Sequence, residues 1–217
     1  MERTGIIQRT TSLLRTVLFV LAAIGIAMVI RRVLTIKGVL PDVAPGGRPA
    51  FDGTIALHPV FTFLHIIPGA VFMVLGVLLF IPAIRRTRAH LYQRIVGWFL
   101  ITGYIVGLSA LALPFVLQPI GGINEAAASI FFGLYFLVAL TMAWRHAHQM
   151  PLQREWIIRA FAVALAVATI RPIVVLFFIF SHQPPQVFFG TAFWLGFTLH
   201  AIVAETWINF TRPEAAK

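Results

Sequence analysis

Cysteine is absent from the 217 residues of this chain, which excludes disulfides, iron–sulfur clusters and any thiolate metal site. Charge is scarce too. Only 11% of the residues are charged, against about 25% in a soluble domain, so there is too little polar surface to cover a globule. Acidic side chains are rarer still, 7 against 17 Lys and Arg. Catalytic signatures are also missing: the chain has no phosphate-binding glycine loop, no His-Glu-x-x-His, no Gly-x-Ser-x-Gly and no paired carboxylates at depth. Those patterns supply the nucleophile, metal or phosphate cradle on which hydrolases and kinases depend. Neither activity has a foundation here, and no metal site is expected.

Apolar sequence is abundant. Hydrophobic residues make up 59% of the chain, with 20 Phe among them. Six apolar stretches, near 13–30, 57–81, 95–113, 126–144, 156–180 and 187–210, each approach the ~20 residues that carry a helix across a bilayer. The expected fold is therefore all-α, a polytopic membrane protein with six transmembrane helices in one bundle. By domain it divides into an N-terminal anchor helix with an outside loop (1–54), a five-helix membrane core (55–210) and a short tail (211–217). The first span lacks a small-x-small cleavage site and is closed by Arg31 and Arg32, so it reads as a retained anchor with Arg15 snorkelling to the headgroups. Pro114 is expected to stop the third span and Pro172 to kink the fifth. Gly103 and Gly107, four apart, mark a close helix–helix contact.

A formal charge of +10 in a soluble chain would point to nucleic acid. Here the basic residues flank the apolar stretches, which sets topology instead, and no nucleic-acid partner is expected. With the N-terminus inside, the inner segments hold Arg3, Arg9, Arg15, Arg85, Arg86, Arg88, Arg94, Arg145, Arg154, Arg159, Arg212 and Lys217. The outer ones hold only Arg31, Arg32, Lys37 and Arg48. The positive-inside rule then puts both termini in the cytoplasm and the protein in the cytoplasmic membrane.

Ionisable residues inside the hydrocarbon need an interior partner or a purpose. A rise of ~1.5 Å per residue places Arg159 about 5 Å and Glu205 about 8 Å above the inner edge. They are expected to form a structural ion pair. Arg171 comes out near 22 Å and His65 near 25 Å, with His200, Tyr104 and Tyr135 at about 14–15 Å. These five form the candidate cofactor-binding set. Arg171 has two readings: it satisfies carbonyls freed by Pro172, or it holds a quinone ring, a haem propionate or a carboxylate. His58 and His65 lie ~10 Å apart along one helix, too far for one iron. No height offers a clear pair of buried histidines for haem.

Two segments carry a resemblance, "LHIIPGAVFMVLGVLLFIPAIRRTRAHLYQRIVGW" and "REWIIRAFAVALAVATIRPIV". Together they resemble a family of bacterial integral membrane proteins defined only as a domain of unknown function. Its pattern runs Leu-His, spaced glycines, His-Arg-x-x-Gly, His-x-x-Trp-Met-x-Arg and a deep Thr-x-Arg. The matching residues are His65, Gly69, Gly76, Arg94, Gly97, Trp156, Arg159 and Arg171, and the likeness covers about 55–210. Gln93 and Gln153 stand where the family pattern has histidine. Loss of any haem or metal those histidines hold in relatives is what that departure implies. The resemblance supports the fold and names no reaction.

The leading expectation is a membrane protein binding a small ligand or redox cofactor, quinone or haem, at the His65–Arg171 cluster. Its rivals are a small-solute or proton-coupled transporter and a structural subunit with a membrane-complex partner. Against transport, the spans show no internal repeat and only one is broken.

Overall fold

The protein is described by a computed structural model covering residues 2–40, 58–181 and 183–212, the side chains of 2–9 and 86 excepted. The loop charge Arg48, the interface histidine His182 and the terminal Lys217 lie outside the described residues, as do the side chains of Arg3, Arg9 and Arg86. Seven helices are described: α1 (Glu2–Ile36), α2 (Pro59–Leu79), α3 (Pro82–Thr87), α4 (Ala89–Val116), α5 (Gly122–Arg145), α6 (Met150–Phe180) and α7 (Pro185–Thr211). Six of them, all but α3, are long and apolar enough to cross a membrane. The chain is an all-α polytopic membrane protein.

Each span is a helix because in hydrocarbon only intrahelical bonds can satisfy the backbone. Prolines set several starts: Pro59, Pro82, Pro151 and Pro185 all sit in first turns, where the missing N–H costs nothing. Pro151 explains one departure from expectation. The fifth span begins at Met150 rather than 156, so Arg154 and Glu155 belong to a helix and not to a turn. The basic segment after α2 likewise coils into α3 before α4 begins at Ala89. Pro114 does not stop α4, which runs on to Val116 and closes with a 2.8 Å bond from Leu117 N to the Leu113 carbonyl. Pro172 lies within α6, which stays helical to Phe180.

Successive spans pack as neighbours: α2 on α4, α4 on α5, α5 on α6 and α6 on α7, with α5 also touching α7. The innermost helix is α6, which meets α1, α2, α5 and α7. Side chains of Phe72, Phe99, Phe136 and Phe161 form an aromatic centre, Phe72 stacked on Phe99 at 4.1 Å and edge-on to Phe136 at 5.4 Å. Gly76 lets Phe161 of α6 lie against the α2 backbone, since a Cβ there would overlap the ring. Gly103 and Gly107 admit Leu140 and Leu137 of α5 in the same way. Only α1 is peripheral. It rests on α2 and α6, uses Ala22 and Gly25 to approach Met73, and has just 6% of its most apolar window buried.

Candidate functional site

Because α1 packs on α2 and α6 while α7 packs on α5 and α6, a slot is left between α1 and α7 with α6 as its floor. Its empty space, open mouth included, amounts to about 1020 Å³. Helix α6 contributes Arg154, Ile158, Phe161, Ala162 and Leu165, positions three or four apart that share one helical face. Leu14, Leu18 and Leu21 of α1 and Val203, Ala204 and Trp207 of α7 form the sides. Val17 and Val203 line the slot from opposite walls and are 45% and 41% uncovered, so the mouth opens sideways, toward lipid.

The slot is polar at its ends and apolar between. At the end nearer the chain termini stand Arg15, Arg85, Tyr92 and Arg154; at the deep end stands His200. From Arg154 to Leu165 the α6 floor runs about 16 Å, which is close to one leaflet of a ~30 Å hydrocarbon core. Among the described residues, no carboxylate lines the slot.

Glu155, the acid next to Arg154 in the chain, is engaged elsewhere. Arg212 grips it through Nε at 3.0 Å and an Nη at 2.6 Å, and hydrogen bonds and charge from Glu155 push the Arg212 guanidinium above its usual range. On the next turn Arg159 donates to both oxygens of Glu205, at 2.5 and 2.9 Å, and lies 3.9 Å from Glu155. Its guanidinium also sits 4.4 Å above the Trp156 ring. Four charges thus fasten the start of α6 to the end of α7 as a fork–fork network, with Tyr135 beside it.

The five sequence candidates are dispersed among the helices. His65 Nδ1 lies 2.8 Å from Ser109 Oγ, joining α2 to α4. Ser109 gives its own proton to the Ile105 carbonyl at 2.7 Å, so its lone pair accepts from the imidazole. Tyr104 meets Thr141 at 2.9 Å, joining α4 to α5. His200 Nε2 meets Thr169 Oγ1 at 2.8 Å, joining α6 to α7. Tyr135 is at the charge network, and Arg171 is half-buried on α6. Of the five, only His200 lines the slot.

Arg15, Arg85, Tyr92 and Arg154 were missed as site residues. Arg154 carried a readable signal: once α6 is extended back to Pro151, it falls on the face of Ile158, Phe161 and Leu165. Arg15 and Arg85 carried none, because their convergence depends on how α1 and α3 pack. Comparison with protein-family models, with curated proteins and with solved structures finds no match to this chain, so the family resemblance rests on its motifs alone.

Proposed function

We propose that this integral membrane protein binds a lipid-soluble amphiphile in the slot between α1 and α7. The observation that supports this reading is the lateral mouth between Val17 and Val203, opening a leaflet-deep apolar slot to the bilayer. A ligand with one apolar tail enters from the membrane plane without crossing water, and its polar end meets the headgroup level. A quinone or an acyl lipid has that form. Haem fits less well, since His200 is the one histidine on the slot wall among the described residues and a second axial imidazole would have to come from elsewhere. The loop charges support a cytoplasmic membrane location with both termini inside.

Mass spectrometry of a solvent extract tests the proposal. Protein purified in mild detergent is expected to retain roughly one amphiphile per slot. Ala162→Phe directs a ring into the slot from its floor and is expected to cut that retention at least about fivefold, a loss on the scale of one obstructed apolar contact. Equal retention by a variant that elutes as a single, wild-type-sized species would overturn it.

A further inference from the structure

The slot has a second property that its apolar length does not explain. Three arginines from three separate elements, Arg15 of α1, Arg85 of α3 and Arg154 of α6, converge on one end of it. Among the described residues, the titratable groups that act on Arg154 are the cations Arg85 and Arg15, the neutral phenol of Tyr92 and the carboxylate of Glu155. Glu155 is bound in both its oxygens by Arg212 and approached by Arg159, leaving little of its charge for the slot. Tyr92, almost wholly buried, adds a hydroxyl to the same wall. Among the described residues the lining contains no acid, so none of them balances the positive charge from within the slot.

We infer that the occupant is a bilayer phospholipid with an anionic headgroup, its phosphate held by Arg15, Arg85 and Arg154 and an acyl chain lying along the slot toward His200. The inference rests on the amphiphile reading above and gives it a ligand class. Guanidinium forks match phosphate oxygens two at a time and lose less entropy per bond than lysine would. One phosphate between three cations converts their mutual repulsion into attraction. The geometry of the tail follows from the same anchor: a headgroup at the rim leaves about 16 Å of slot, one leaflet's depth. The lipid also has a mechanical consequence. Helix α1 is the least buried span and contributes Arg15, so a phosphate shared with Arg154 ties α1 to α6.

Native mass spectrometry with phosphatidylglycerol and phosphatidylcholine of identical acyl chains tests this. Wild-type protein is expected to prefer the anionic lipid by about tenfold, a discounted value for three interfacial arginines. The triple variant Arg15→Gln, Arg85→Gln, Arg154→Gln is expected to lose that preference, to within about twofold, while still taking up lipid. A matched variant, Arg88→Gln, Arg94→Gln, Arg145→Gln, removes the same charge from the same side without touching the slot lining and is expected to keep the preference. If both triple variants lose it equally, or neither does, the headgroup assignment is overturned and the slot reading stands. If wild-type protein takes up neither lipid and Ala162→Phe changes nothing, both are overturned.

Discussion

At the scale of single residues, Arg159 and Glu205 illustrate how unequal the two halves of an ion pair can be. Arg159 is 12% exposed and Glu205 43%, so deleting the acid leaves a covered guanidinium short of a partner. Glu205→Gln is expected to destabilise the protein by about 2 kcal/mol, the scale of a charged hydrogen bond lost from a partly buried site. Thermal unfolding in detergent would register it, and an unchanged midpoint would show the pair to be idle. Gln153 makes the opposite case. It is 1% exposed, its amide reaches the Ala143 carbonyl only at 3.4 Å, and its Oε1 has no hydrogen-bond partner among the described residues. A buried acceptor without a donor costs about 1–3 kcal/mol, so Gln153→Met, similar in volume and without the orphaned oxygen, is expected to leave the unfolding midpoint unchanged or raise it. A clear drop would mean that the oxygen is satisfied, for example by water.

Between helices, the starts of α5 and α7 meet backbone to backbone. A Cβ on Gly190 would stand 2.7 Å from the Glu125 backbone nitrogen, and one on Gly121 would stand 2.5 Å from Gly190 N. The start of α7 therefore lies directly on the start of α5, where Glu125 Oε2 accepts from Gly121 N at 2.7 Å and Trp194 Nε1 donates to Asn124 Oδ1 at 3.0 Å. Backbone cannot yield as a flexible side chain can. Gly190→Val is expected to cost about 1–3 kcal/mol by overpacking and to separate Trp194 from Asn124, which tryptophan fluorescence can follow against the other four tryptophans held as Phe. Wild-type stability and emission would show that the two helices are free to part. Helix α1 belongs at the same scale and behaves differently. With so little of it covered, it is held by a short small-residue contact and by its packing on α2 and α6.

For the whole molecule, six spans with both ends on one side make orientation a single binary choice. The absence of cysteine makes it easy to read. One thiol introduced as His148→Cys, between α5 and α6, is expected to react with a membrane-impermeant maleimide only from the cytoplasmic face. One introduced as Gln183→Cys, between α6 and α7, is expected to react only from outside. The reverse pattern would show that the loop charges do not set this protein's topology.

The number and order of spans were legible in the sequence because a hydrocarbon-length apolar run is a local property, and so was the meeting of Arg159 with Glu205, since two adjacent helices with charges at one depth have few alternatives. Height, however, is only one of the coordinates that decide contact. His65, His200 and Tyr104 each turn to a hydroxyl on a neighbouring helix, and the direction in which each faces depends on the rotation of its helix about its own axis, which an apolar run of nearly uniform hydrophobicity leaves open. The starts at Met150 and Ala89 lie ahead of the apolar runs for a related reason: polar first turns outside the hydrocarbon carry no apolar signal. The sequence by itself determined that this chain is a bundle of membrane helices with most of its basic residues in the connections on one side. Only the tertiary structure decided that Arg15, Arg85 and Arg154, separated by tens of residues, stand at the mouth of one slot, because that requires α1 to lean on α2 and α6 while leaving α7 uncovered.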